Sequence, residues 1–468
     1  MVVVGGGITG LAAAWFLRQA DDAPDVVVLE AGPLVGSKLQ TGDLAGHAVE
    51  SGAESMLARR REAVDLAVAV GLEEAIEAPV TSAARVLVDG ELRDFPSGTV
   101  LGVPGDLQSL RASRVLTRRG LARVAAERAL PQPARTDDIA VGRLVTQRLG
   151  REVTDRLVEP LLGGVYAGRA AELSLEATMP ALAEARRSGE RLTVAARRLR
   201  TTGGGTADGS APFVGIAGGL AQLPQRLAAG SAEVRTRMTV RALRRLADGS
   251  WQVTAGPVPR PETIDADAVV LAVPATPAAR LLRDHAPVAA GLLDTVEYAS
   301  VALVTLGYRT VDVPAGALRG SGHLVPPREG RVIKAATYSS RKWAWVGRQV
   351  GDLTVVRMSV GRYGEEADLQ RDDADLVRLA SEDAADVLGL HARPAAGAVF
   401  RWGGSLPQYR PGHVARVRRM RATLADVPGV VLAGAAVDGV GIPACIASAR
   451  AAADEVLQVL QADATMGA

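Results

Sequence analysis

The chain opens on a short apolar run, Val2-Val3-Val4, that passes without a spacer into Gly5-Gly6-Gly7-Ile8-Thr9-Gly10. Gly5, Gly7 and Gly10 satisfy G-x-G-x-x-G, and Ile8, Leu11 and Trp15 recur at i, i+3 and i+7, the spacing of one buried helix face. A second β-branched run, Asp25 to Leu29, closes on Glu30, 20 residues after Gly10. Strand, glycine turn, helix, strand and acid in that order predict a parallel βαβ unit that binds a dinucleotide. Gly5 permits the tight turn, Gly7 lets the backbone approach a pyrophosphate, and Gly10 lets the helix pack against the strand. The helix N-terminus then faces the phosphates, and Glu30 is placed for a ribose hydroxyl. Gly6, Ile8, Thr9 and Ala31 complete the expected cradle. An acid at Glu30 disfavours NADP, whose extra phosphate it would repel; the motif alone leaves FAD and NAD both open.

Length and composition set the frame around that unit. At 468 residues the chain is long enough for two or three domains. Its 48% hydrophobic and 23% charged content argues against disorder and against a fibrous protein. The 54 basic and 52 acidic residues nearly cancel at +2, so no global field draws the chain to nucleic acid. Lysine occurs only at Lys38, Lys334 and Lys342; the rest of the basic residues are arginine. The single Cys445 excludes an intramolecular disulfide and a cysteine-rich metal site. The five histidines lack metal-ligand spacing, and no Ser–His–Asp or Cys–His pair stands out. The first residues have no charged and apolar regions of a secretory signal, and no uninterrupted apolar run reaches the roughly 18 residues of a membrane span. The expectation is a cytoplasmic protein with no transmembrane segment.

Further motifs extend the reading through nearly the whole chain. Gly36-Ser37-Lys38-Leu39-Gln40-Thr41 follows the strand–acid pair, and Glu50-Ser51-Gly52-Ala53-Glu54-Ser55 follows soon after. Later come LVEPLLGGVYAG at 157–168, Gly218-Gly219-Leu220 with Leu223-Pro224, RWGGSLPQY at 401–409, and LAGAAVDGVGIPACIASARAAA at the carboxyl end. These motifs, in this order, resemble the protoporphyrinogen/coproporphyrinogen oxidase family of the flavin amine-oxidase superfamily, and most closely its soluble Gram-positive and actinobacterial branch. Three positions depart from the family pattern. Ser37 stands where a second glycine is usual, Ala53 where proline is usual, and Asp438 where a basic residue is common.

The resemblance implies FAD as cofactor and oxidation of a porphyrinogen macrocycle to a porphyrin. A hydride would pass from a meso carbon to flavin N5 in each of three two-electron rounds, with molecular oxygen as final acceptor and peroxide released. The flavin carries the chemistry, so no catalytic side chain is assigned. Coproporphyrinogen III is the expected substrate in haem biosynthesis, with hand-off to a ferrochelatase. Protoporphyrinogen IX oxidation is the alternative, followed by another flavin amine-oxidase-type reaction and by a non-catalytic flavin or porphyrin carrier. Carried onto this chain, the resemblance places Lys38, Gly52, Ala53, Glu54, Ser55, Val240, Trp402, Val440, Gly441 and Ile442 at the cofactor. Pro443 starts the last helix, whose positive end would face the flavin pyrimidine edge. Arg85, at the head of RVLVDGELRDFP, is the candidate for a substrate propionate, since a guanidinium binds a carboxylate bidentately. Tyr166 is the candidate beside the macrocycle.

The expected architecture is α/β, with a discontinuous Rossmann-like FAD-binding domain, a mixed-sheet substrate domain and a helical domain. The FAD-binding pieces are 1–70, 210–280 and 395–468. The substrate domain takes 71–99 and 281–394, with strands near 300–308, 331–338 and 353–360, and the helical block is 100–209. The glycine run at 203–205 reads as a loop.

Overall fold

The computed structural model describes residues 1–131, 135, 137–202 and 211–466; the expected glycine loop at 203–205 lies outside the described residues. A five-stranded, all-parallel sheet runs in the order 233–235, 27–29, 2–4, 269–271, 430–432. Four of its strands read VVV, VVL, VVL and VVL because both faces are covered. The period-2 alternation divides them cleanly: Val3 faces a core shared with the first helix, Ile8–Arg18, and the last helix, Ile442–Met466. Val2 and Val4 face the other core, under a three-stranded antiparallel sheet (240–245, 251–255, 262–266) and the helices Ala275–Leu282 and Pro287–Asp294. Ala12, Ala13, Ala449, Ala452 and Ala453 line the contact between the first and last helices, and their short side chains permit close approach.

A second, seven-stranded mixed sheet runs in the order 396–407, 298–309, 353–360, 333–337, 322–324, 84–88, 91–94. All neighbours are antiparallel except 322–324 beside 84–88. One face is covered by the helix Asp373–Leu388, which Asp372 caps through the Asp375 N–H and Gly389 ends in a left-handed conformation at φ 69°. The strand Ala396–Pro407, assigned with the dinucleotide unit from sequence, belongs to this sheet. Its backbone groups are satisfied along Tyr298–Arg309.

The described residues between 107 and 202 are mainly helical, with their own core into which Val86, Val88 and Tyr409 project. Thr154–Val158 widens into a π turn just before the helix Glu159–Tyr166. Pro160 has no N–H to give to the preceding turn, and the wider turn accommodates that missing donor. Among the described residues, no helix is long and apolar enough to cross a membrane.

Candidate functional site

The glycine motif folds as the sequence requires. The Gly5 N–H donates to Leu29 O at 2.8 Å, tying the two parallel strands at the turn. A Cβ on Gly5 would stand 2.5 Å from Ala272 O, and one on Gly10 would stand 1.9 Å from Gly5 O, so neither position accepts a side chain. Gly7 is the N-cap of Ile8–Arg18 and offers no side chain to cap it, leaving the first amides of that helix open to an anion. Glu30 accepts from the Gly6 N–H at 2.7 Å and the Gly32 N–H at 2.6 Å, one on each carboxylate oxygen. A carboxylate has about four lone-pair sites, so each oxygen keeps one for a ribose hydroxyl. The segment leading into Val240 crosses this turn, with Met238 N–H donating to Glu30 O at 2.8 Å and Arg237 N–H to Gly32 O at 2.8 Å. Val240 is buried, and Ala31 lies exposed at the rim. This cradle fits an adenine dinucleotide: an uncapped helix end for the pyrophosphate and an acid for the sugar.

Two further loops join it. Gly36 N–H donates to Gly6 O at 2.7 Å, Ala53 N–H to Lys38 O at 2.9 Å, and Ser51 N–H to Gln40 O at 3.0 Å. A Cβ on Gly52 would stand 1.9 Å from Lys38 O, which explains glycine there. Ser37, where glycine was expected, adopts the left-handed φ of 52° that glycine takes without strain. Trp402 Nε1 donates to Ser51 O at 2.6 Å and so caps the same loop. The 434–442 turn closes the opposite side. Gly434 packs against Thr9, and its N–H donates to the Ser448 hydroxyl oxygen at 2.8 Å; Ser448 in turn donates to Asp438, which Arg421 pairs at 2.7 Å. Asp438, where a basic residue was expected, therefore serves as the anchor of this turn. Gly441 takes φ 114°, Val440 is half-buried and Ile442 is buried. Burial lowers the Lys38 ammonium, and the nearby Cys445 works the other way. Burial raises the Cys445 thiol, while Thr9 and Lys38 oppose that shift. Lys38 and Thr9 are therefore both near enough to Cys445 to influence its thiol.

Tyr166 stands beside this turn. Its ring meets Tyr409 edge-on, with centroids 5.9 Å apart, and burial pushes its phenol up to about 12. The Tyr409 hydroxyl donates to Ala435 O, and His413 stacks on the same ring at 4.3 Å. Arg85 is placed elsewhere. Its guanidinium donates to Leu92 O at 2.7 Å and lies 3.8 Å from Asp94. In register it shares a sheet face with His323, Ala336 and Met358, the face that Asp373–Leu388 covers. The structure does not bring it together with the glycine cradle.

One cluster escaped the sequence reading. Arg357 lies on the opposite face of that sheet, donates to Gly52 O at 2.7 Å and pairs with Glu54 at 2.9 Å. Lys342 and Trp343 Nε1 reach the other Glu54 oxygen. Burial alone would push the Glu54 carboxyl up, but Arg357 and Lys342 outweigh it and hold it at about 2. The Glu54 side chain is thus committed to this cluster, and only its backbone remains for the cleft. Next to it, burial raises Glu50 to about 8, partly offset by the Leu220 N–H that it accepts at 2.6 Å. Glu50 Oε2 and Thr305 Oγ1 have no partner and line one small cavity with Arg357 and Trp343. The one signal in the sequence is the rarity of lysine: Lys342 is one of three among 54 basic residues. Among the described residues, no group of histidine, cysteine or acidic side chains could hold a metal ion.

With this geometry in place, the relatives are informative. The chain is 36% identical over 472 residues to a coproporphyrinogen III oxidase of Mycobacterium tuberculosis (strain ATCC 25618 / H37Rv), covering 98% of each protein. It is 31% identical over 472 residues to a coproporphyrinogen III oxidase of Bacillus subtilis (strain 168), again covering 98% of each. The crystal structure of an Exiguobacterium sp. 255-15 protein assigned as a protoporphyrinogen oxidase superposes with a TM-score of 0.84 at 33% identity, covering 98% of both chains. The model of flavin-containing amine oxidoreductases matches residues 8–457. The glycine cradle, the converging loops and this match over almost the full length agree, and the chain belongs to the flavin-containing amine oxidoreductase family.

Proposed function

We propose that the protein is an FAD-dependent oxidase of coproporphyrinogen III, yielding coproporphyrin III in haem biosynthesis. The observation that carries the reading is the convergence of the glycine cradle, the 51–55 loop and the 434–442 turn around the start of the first helix, in a chain similar over 98% of its length to proteins named for that reaction. Bound FAD supplies a two-electron acceptor for hydrogen removed from the macrocycle. The first amides of Ile8–Arg18 hold the pyrophosphate, and Glu30 holds the ribose while its backbone contacts keep the glycine turn in shape. Lys38 meets the phosphates or the ring edge, and the amino end of the last helix favours negative charge arriving beside Val440, Gly441 and Ile442. Trp402 and the Gly52 peptide border the flavin ring system. Tyr166 borders the macrocycle, where its buried phenol stays neutral. Molecular oxygen is the final acceptor, the reaction takes place in the cytoplasm, and a ferrochelatase receives the product. Protoporphyrinogen IX is the second reading, favoured by the name carried by the Exiguobacterium structure.

The test supplies the purified, FAD-loaded protein with each porphyrinogen separately under oxygen and follows porphyrin fluorescence. Faster turnover of coproporphyrinogen supports the proposal. A preference for protoporphyrinogen makes the second reading correct, and no turnover of either refutes both.

A further inference from the structure

The 51–54 loop belongs in sequence to the dinucleotide half of the molecule, yet it is gripped by the other half. Trp402, on the strand Ala396–Pro407, donates to Ser51 O at 2.6 Å. Arg357, on the strand Leu353–Val360 of the same sheet, donates to Gly52 O at 2.7 Å and pairs with Glu54 at 2.9 Å. Lys342, just beyond the strand Ile333–Thr337, completes the hold on Glu54. The other side of the loop cannot yield, because Gly52 already lies against Lys38 O too closely for a Cβ. Loop 51–54 is therefore wedged between the cofactor cradle and the seven-stranded sheet, and Arg357 touches two points on it at once.

A guanidinium suits this task because it presents several donors in one rigid plane. Lysine offers a point charge and would satisfy the carboxylate or the carbonyl without fixing the angle between them. We infer that Arg357 is a positioning residue that, by fixing loop 51–54 against the seven-stranded sheet, sets where the flavin ring lies relative to the bound macrocycle. This rests on the FAD and porphyrinogen reading above. The ionised state of Glu54 supports the geometry, since it keeps the pair charged at any pH at which the protein works. Arg357 acts through the loop and takes no part in bond making.

The test uses holoprotein carrying Arg357→Lys, Arg357→Met, or Arg357→Met with Glu54→Gln. The last pair removes Arg357 and the Glu54 charge together, so no buried carboxylate is left stranded, while Lys342 keeps an amide oxygen to donate to. Flavin absorption bands and the anaerobic rate of flavin reduction by coproporphyrinogen III are recorded at saturating FAD. In the double variant we expect shifted bands, a reduction rate lower by about ten- to a hundredfold, the scale of an ångström-sized misplacement, and half-saturation by substrate within about twofold of the unmodified protein. Arg357→Lys should fall between the two. Unshifted bands and an unchanged rate in the folded double variant overturn the inference, as does a loss confined to half-saturation. If the unmodified protein binds FAD but reduces it with neither porphyrinogen, the proposed reaction fails instead. The band shift needs no substrate and then still decides the role of Arg357.

Discussion

Glu30 Oε2 accepts the Gly6 N–H at 2.7 Å, so the acid expected to meet a ribose also holds the glycine turn in shape. Its second oxygen does the same for Gly32 at 2.6 Å. Glu30→Ala leaves two amides without an acceptor and removes the proposed sugar contact. Hydrogen bonds to charged groups are worth about 1.5–3 kcal/mol each. FAD affinity should therefore fall at least about tenfold, as read by quenching of flavin fluorescence on titration, and wild-type affinity in this variant would refute the assignment.

Glycines at two positions make opposite forecasts. Gly52→Ala drives a methyl to 1.9 Å from the Lys38 carbonyl, a backbone atom that cannot swing aside. Overpacking of this kind costs about 1–3 kcal/mol, and the melting temperature should drop. Gly291, in the helix Pro287–Asp294, has nothing near its Cβ position. Gly291→Ala should raise the melting temperature by the equivalent of about 0.5–1 kcal/mol, because alanine loses less backbone entropy in a helix. Calorimetry on both variants checks the pair.

Glu50 gives stability a pH dependence of stated sign. Burial raises its folded value to about 8, above its ordinary value of 4.5. The native state keeps the proton that the unfolded chain gives up, so this contribution is complete below pH 4.5 and is lost progressively as pH rises towards 8. Glu50→Gln cannot ionise and should flatten that decline. Urea unfolding between about pH 5 and 9 compares the two proteins, and parallel curves would rule the effect out.

Burial lowers His413 to about 4, against an ordinary 6.5, with Arg416 adding to the shift. Here the sign reverses: the stability is present above 6.5 and is lost as pH falls through 4. His413→Gln should lessen the acid loss, seen as a higher melting temperature relative to wild type at pH 5 than at pH 8.

Tyr409→Phe removes the donor to Ala435 O while keeping the ring between Tyr166 and His413. The cost should be close to one neutral hydrogen bond, about 1 kcal/mol. Because Ala435 leads into the 434–442 turn, FAD should also dissociate faster. Stopped-flow displacement measures that rate, and an unchanged rate would separate Tyr409 from the cofactor.

Much of the cofactor side was legible because it is local. A turn that must reverse within six residues, pack a helix on a strand and expose amides leaves glycine as the only answer at Gly5 and Gly10. The apolar triplets of the parallel sheet were equally readable, since a strand covered on both faces has no polar positions to confuse the pattern. The extent of the second sheet was less so: Ala396–Pro407 carries polar and glycine positions, and its partner lies about a hundred residues upstream.

Short-range backbone demands therefore fixed the cradle, its acid and the strand–helix order in the amino-acid sequence itself. The tertiary structure alone decided that Arg85 faces the Asp373–Leu388 layer while Arg357 faces the 51–54 loop. In a strand successive side chains point to opposite faces, so a register shift of one residue exchanges them. That register is set by strand pairing: 84–88 lies beside 322–324, more than two hundred residues away, and 322–324, 333–337 and 353–360 then follow side by side, an alignment that no local pattern records.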